Sequence, residues 1–310
     1  MIAPFDLSVR RFCLAPIAGW SDAPFRAIAK RFGADLTISE MISANALVCN
    51  RKKTKKLYEK SAIETPYSVQ LVGSDVAIIS EAVKILNDED IDIIDLNAGC
   101  PAPKIARGGG GSALLKDPRL LGAIVAAIKK TSKKPTTSVK IRLGFDRNNG
   151  VEIAKVCEDS GADFITIHGR TKTGGFTSTV DYEAIGEIKS KLKIPVIANG
   201  DIDSYAKARS VFNATNADGV MIARAALGAP WIFAELKDQS AIDRTAKCAA
   251  IIEHFDSAIA FYGAYGAIIF RKHLHRYSKF YEGAAAFRVL INKTSDIAQT
   301  RDMIESFFKG

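Results

Sequence analysis

No run of about 18 apolar residues occurs anywhere in this 310-residue chain, so the sequence offers no helix able to cross a membrane. The opening Met1-Ile-Ala-Pro-Phe-Asp lacks a charged segment followed by a long apolar one, which leaves no export signal to expect and makes the cytoplasm the expected compartment. Cysteines number five, an odd count without a Cys-x-x-Cys pair. Such scattered thiols (Cys13, Cys49, Cys100, Cys157, Cys248) suit a reducing environment and offer no ligand set for an iron–sulfur cluster or zinc. Only four histidines are present, and His273 and His275, two apart in a helical stretch, point in different directions, so no metal centre is expected. Gly-x-Gly-x-x-G is missing after the first strand-like run, which argues against a doubly wound dinucleotide fold. Acid is in short supply: 34 Asp and Glu face 43 Lys and Arg, and the net charge of +9 favours a polyanionic partner.

What is present is an ordinary globular composition, 47% hydrophobic and 25% charged, in a chain long enough for one large core and a small appendage. Apolar, strand-like runs recur at Cys13 to Pro16, Leu36 to Ser39, Tyr67 to Leu71, Ile91 to Asn97, Thr137 to Ile141, Phe164 to His168, Pro195 to Asn199 and Gly219 to Ile222, with helical patterns between them. Eight such βα units predict a (β/α)8 TIM barrel over residues 1–239. From about Ser240 the strand rhythm stops, and Ile251, Ile252, Phe255, Ile259 and Tyr262 recur at three-to-four spacing. A small helical bundle over 240–310 is predicted, and the molecule is expected to be a monomer.

Chemistry in such barrels sits at the carboxyl ends of the strands, where Pro16, Gln70, Asn97, Lys140, His168, Asn199 and Arg224 fall. Cys100 follows the strand that ends Asp95-Leu-Asn-Ala-Gly-Cys-Pro101; Pro101 and Pro103 forbid a helix straight after it, and Gly108 to Gly111 loosen the chain beyond. The loops after the last two strands, which often hold a phosphate, carry Asn199-Gly200-Asp201 and Ala223-Arg224. Each residue keeps a plainer alternative. Cys100 suits a structural thiol, Lys140 a Schiff-base nucleophile, His168 a polar core group and Arg224 the surface. The basic run Arg51 to Lys56 with Lys60, and the trio Lys272, Arg276 and Lys279 on one predicted helix face, suit either RNA phosphates or a solvated helix.

The Asp95–Pro101 motif, followed by Gly111-Ser-Ala-Leu-Leu115, resembles the signature of the tRNA-dihydrouridine synthases. Ala15-Pro-Ile-Ala-Gly19 with Asp22 and Phe25-Arg26, Ser39-Glu40-Met41, Val69-Gln70, Lys140-Ile-Arg142, Ile167-His-Gly-Arg-Thr171, Ile197-Ala-Asn-Gly-Asp201 and Ala223-Arg-Ala-Ala226 match in the family's order, most like its bacterial B-type subgroup. The resemblance implies FMN, with Pro16, Ile17, Ala18, Gln70, Lys140 and His168 around its ring system or ribityl chain and Asn199, Gly200, Asp201, Ala223 and Arg224 at its phosphate end. It further implies NADPH as reductant, hydride transfer to C6 of a tRNA uridine and a proton from Cys100 to C5. An ordinary thiol, with a pKa of about 8.5, holds that proton at neutral pH. Asn97 and Arg170 are then expected at the uracil edge, and Lys272, Arg276 and Lys279 on the RNA backbone. The chain departs from the family at Ala223, where glycine is usual, at Gly228-Ala-Pro-Trp231, and at Arg276, where an aromatic residue is common. A flavin barrel reducing a small pyrimidine such as dihydroorotate is the alternative, and a non-catalytic RNA-binding barrel stands third.

Overall fold

The computed structural model describes residues 11–175, 177–238 and 241–309. Nine parallel strands are β1 (Phe12–Leu14), β2 (Thr37–Ile38), β3 (Ile42–Ser43), β4 (Tyr67–Val72), β5 (Ile93–Ala98), β6 (Thr136–Arg142), β7 (Phe164–His168), β8 (Val196–Asn199) and β9 (Gly219–Ile222). They follow the order β1-β9-β8-β7-β6-β5-β4-β2, with β3 also on β4. A parallel bridge between Cys13 and Leu36 brings β1 back to the start of β2, so the sheet curls into a nearly closed eight-stave barrel. The second stave is broken in two. Ser39 N still donates to Ser68 O at 2.9 Å, but the ladder stops there, and Ser39 Oγ accepts from Gln70 N at 3.0 Å where a strand carbonyl would otherwise stand.

The barrel forms because its strands alternate. Ile94, Leu96 and Ala98 of β5, Val139 and Ile141 of β6, and Ile165 and Ile167 of β7 point outward into the main hydrophobic cluster under the helices. The opposite phase fills the interior: Cys13, Ala15, Ile93, Phe164, Ile197 and Met221 make a second, small apolar cluster. Helices start where the loops supply a cap, and Asp22, Asp75, Asp117, Asp181 and Ser204 each accept a backbone N–H of the helix they precede. Beneath the first helix (Ala23–Arg31) lies a fully buried ion pair, in which Arg26 Nε donates to Glu64 Oε1 at 2.7 Å. Its other donors reach Ser21 O at 2.8 Å and Glu59 O at 2.5 Å, and Thr37 Oγ1 donates to Glu64 at 2.7 Å.

After the barrel come helices Arg244–Tyr262, Gly266–Tyr277, Ala284–Ile291 and Ile297–Lys309. Phe255, Phe270, Leu274, Phe287, Ile304 and Phe308 are their buried core, continuous with the barrel's outer layer through Phe25 and Ile28 of Ala23–Arg31. Burial of each large apolar side chain contributes about 1.5–3 kcal/mol. The expected boundary at residues 239 and 240 lies outside the described residues. Among the described residues no helix is long and apolar enough to cross a membrane.

Candidate active site

The alternation that builds the barrel also builds the site. In the interior phase, the apolar residues of the floor give way toward the carboxyl ends to Gln70, Asp95, Asn97, Ser138, Lys140, His168 and Asn199. Register places Gln70 beside Asp95, Asn97 beside Lys140, and His168 beside Asn199. Asp95 is the hub of this polar layer. Its carboxylate accepts from Gln70 Nε2 and from Ser138 Oγ, both at 2.6 Å, and burial pushes its pKa up to about 6.

Asn97 carries the order of that layer to the cysteine. Its Nδ2 donates to Gln70 Oε1 at 2.8 Å, while its Oδ1 accepts from Gly99 N at 3.1 Å and from Cys100 N at 2.8 Å. Cys100 is half-buried, and its carbonyl accepts from Ser112 N at 3.0 Å. Gly111, at φ +57°, lies so close that a Cβ there would stand 2.8 Å from Cys100 O, so only glycine lets this loop fold back. The two prolines act as expected up to Ala102, but a short helix, Pro103–Arg107, starts at the second of them, because proline is well suited to a first helical turn.

Lys140 is half-buried in the mouth, and its Nζ donates to Asn199 Oδ1 at 3.0 Å. Burial, helped by the Arg142 charge, lowers its pKa to about 8. Arg142 is held by Gly99 O at 2.9 Å and Thr171 O at 3.0 Å, which fastens the Cys100 loop from the other side. His168, under burial and the nearby Lys140 and Arg142 charges, is driven far below the imidazole range and stays neutral.

At the phosphate-type loops, Asp201 sits at φ +44°, a conformation aspartate tolerates, with its carboxylate between Arg170 and Arg224. The hydrogen bond from Arg170, at 2.5 Å, is the main cause of its lowered pKa. Arg170 is almost fully buried and also donates to Ser178 O at 2.5 Å, so its guanidinium is committed to this corner. Ala223 has φ −117° and ψ −98°, so the backbone is not left-handed there and does not require the usual glycine on that ground. Pro16, Ile17 and Ala18 form the rim after β1, with Ile17 N donating to Ser21 Oγ at 2.8 Å.

The two basic regions part company. In the run after residue 50, Arg51 and Lys55 pair with Glu89, and Lys60 pairs with Asp90 at 2.9 Å, so two carboxylates offset part of its charge within the fold. Lys272 and Arg276 do share one face of Gly266–Tyr277, but the helix ends before Lys279, which lies in the following turn and not on that face. None of these three has an acidic partner within salt-bridge distance among the described residues.

One cluster has no forewarning in the sequence. Asp22, His254 and His273 are buried with ligand atoms within 4.8 Å of one another, a spacing that a metal ion or a bridging water can span. Tyr262 OH donates to Asp22 at 2.9 Å and Tyr277 OH meets His254 Nδ1 at 2.8 Å, whereas His254 Nε2 and both ring nitrogens of His273 meet no partner among the described residues. Its members come from opposite ends of the chain, so no spacing rule could have found it. A metal-capable grouping is thus present where scattered histidines gave no reason to expect one.

A family model described as dihydrouridine synthase matches residues 13–309. The probable tRNA-dihydrouridine synthase of Helicobacter pylori is 45% identical over 298 residues, spanning 95% of this chain and 91% of the relative. The tRNA-dihydrouridine synthase B of Pseudomonas syringae pv. tomato is 39% identical over 308 residues, with 96% and 91% covered. Among solved structures, an old yellow enzyme homologue from Zymomonas mobilis superposes with a TM-score of 0.53 at 14% identity, covering 76% of this chain and 90% of that one, a likeness of fold alone.

Proposed function

This chain belongs to the dihydrouridine synthase family, a family of oxidoreductases, and from that premise we propose that it reduces particular tRNA uridines to 5,6-dihydrouridine with FMN as cofactor and NADPH as reductant. The observation that carries the reading is Cys100, held at the mouth of the barrel by Asn97 with the Lys140 and Arg142 cations beside it. The donor set suits a flavin mononucleotide. Lys140, Asn199 and Gln70 offer polar contacts around a buried mouth, and Arg224 with the Gly200–Asp201 turn offers a cation and a flexible backbone where a phosphate would rest.

A flavin held here by Lys140, Asn199 and Arg224 would supply the hydride destined for C6 of the uracil ring. The chain does the rest. Cys100 gives its Sγ proton to C5, and Asn97 and Arg142 hold its loop at one depth while that happens. Lys140 contributes positive charge to offset the negative charge that reduction brings into the mouth. Neutral His168 adds a polar ring without a second cation. A uridine stacked in folded RNA cannot reach this depth, so the nucleotide is extruded into the barrel while residues 240–310 hold the backbone of the tRNA. In this reading the molecule works as a cytoplasmic monomer.

The test is Cys100→Ala. Cofactor content and NADPH oxidation should stay near wild type, while dihydrouridine in tRNA, read by mass spectrometry, should form about 100- to 10,000-fold more slowly. Undiminished product would remove Cys100 from the mechanism, and free uridine turned over as well as tRNA would favour a small-molecule reductase.

A further inference from the structure

We infer that Trp20 is the platform on which this enzyme stacks an RNA base flanking the extruded uridine, with Lys272 and Arg276 as the cations that draw the strand onto it. The inference rests on the tRNA-reductase reading above and names a residue that determines substrate affinity within it.

Trp20 lies on the rim loop after β1, four residues beyond Pro16, and its backbone N–H closes a tight turn on Ile17 O at 2.9 Å. The indole is half-buried, leaving part of it open at the junction of the barrel mouth and the helix Gly266–Tyr277. Two cations from that helix converge on it. Lys272 Nζ stands 5.6 Å and the Arg276 guanidinium carbon 5.4 Å from the ring. Lys272 is steered there by donating to Gly19 O at 2.6 Å, and His273 meets the indole edge-on at 5.2 Å. The helix cannot drift away from this rim. At Gly228, in the loop after β9, a Cβ would stand 2.7 Å from the backbone of Arg276, so the helix is pressed against the barrel at that turn.

Lys272 and Arg276 are four apart on a helix, where like charges repel, and neither has an acidic partner within salt-bridge distance among the described residues. Lys272 feels the nearby Asp22 and Glu40 carboxylates without pairing directly with either, and a fold that sets two such cations over one indole is arranged like a single-strand binding surface, in which bases stack on an aromatic ring and cations follow the phosphates. The rival basic run differs in that Arg51 and Lys55 share Glu89 as a direct ion-pair partner and Lys60 has Asp90. Extruding a uridine unstacks its neighbour, and Trp20 offers that neighbour a replacement surface beside the entrance.

The experiment compares wild type with Trp20→Leu and Trp20→Phe on an unmodified tRNA transcript. Leucine keeps the bulk that packs on His273 but has no π face, so KM for tRNA should rise about 5- to 150-fold with kcat little changed, and phenylalanine should restore most of the loss. Binding of the transcript should quench the tryptophan emission of wild type and not that of Trp20→Leu, whose remaining Trp231 is buried. A Leu variant with wild-type KM, or one as quenched as wild type, overturns the inference. A Leu variant that loses flavin and melting temperature in proportion to KM, with Phe failing to rescue it, also overturns it, because Trp20 is then a packing clamp. Wild-type protein that forms no dihydrouridine in the transcript overturns the function reading itself, which separates the two failures.

Discussion

Replacing Asn97 by alanine should uncouple the cysteine from the cofactor chemistry. One side chain makes hydrogen bonds to Gln70, Gly99 and Cys100 at 2.8, 3.1 and 2.8 Å, with a weaker one to Met41 Sδ at 3.9 Å, and it is only 8% exposed. Losing them removes about 0.5–1.5 kcal/mol each, and the two backbone N–H groups left in a largely dry pocket add to that, so about 2–4 kcal/mol of stability should go. The kinetic effect is more telling. Cys100 would remain chemically intact but no longer fixed in depth, and a displacement of about 1 Å typically costs on the order of 100-fold in rate. Stopped-flow reduction by NADPH without tRNA should be nearly unaltered, while single-turnover dihydrouridine formation falls by about that factor. Asn97→Asp keeps the acceptor for Cys100 N and loses the donor to Gln70, so it should fall between the two. If Asn97→Ala forms product at the wild-type rate with full cofactor content, the proposed positioning of Cys100 by Asn97 is wrong.

Three further outcomes are expected. Arg224→Ala should lower flavin occupancy, seen as less visible flavin absorbance relative to protein, and should also weaken the hold on Asp201; unchanged occupancy would leave Arg224 a surface residue. Lys140 has a folded pKa lowered to about 8 from 10.5, so its cation is present below that pH and is lost as pH rises through it. Flavin reduction that depends on this cation should therefore decline above about pH 8, and Lys140→Arg should flatten the decline; in stability the same group acts oppositely, because between about 8 and 10.5 the unfolded chain binds the extra proton and the fold gains with rising pH. Neutralising Lys272, Arg276 and Lys279 together should shrink the salt dependence of tRNA binding by at most about 0.9 per lost contact on a log–log plot, and an unaltered slope would make them a solvated face.

The barrel was legible because strand-like runs recur along the chain with helical patterns between them, their outward phase apolar even where Asp95, Ser138 or Lys140 occupies the inner one. Strand ends such as His168 and Asn199 fell where the runs predict. The break in the second stave was not legible, since it depends on Ser39 Oγ replacing a ladder acceptor for Gln70. Among site residues, the sequence located Lys140, Asn97 and Asp201 but not their partners. Nothing local announces that Arg170 will spend its guanidinium on Asp201, or that Asp95, in the same motif as Cys100, will organise Gln70 and Ser138 beneath it. Asp22, His254 and His273 were illegible for a related reason, being joined only by the docking of the last helices on the first. Lys279 was misplaced by extending a helical period past the residue where the helix stops.

The buried pairing of Arg26 with Glu64 constrains how this sequence can change over generations. Losing one partner strands the other charge without water, at a cost of about 3–5 kcal/mol, comparable to the whole margin of many folds. Exchanging both for well-packed apolar residues is often neutral or better, yet Ser21 O, Glu59 O and Thr37 Oγ1 would each need a new partner as well. A lineage can therefore leave this arrangement only by several simultaneous replacements, and single-site drift at either position should be nearly closed to it.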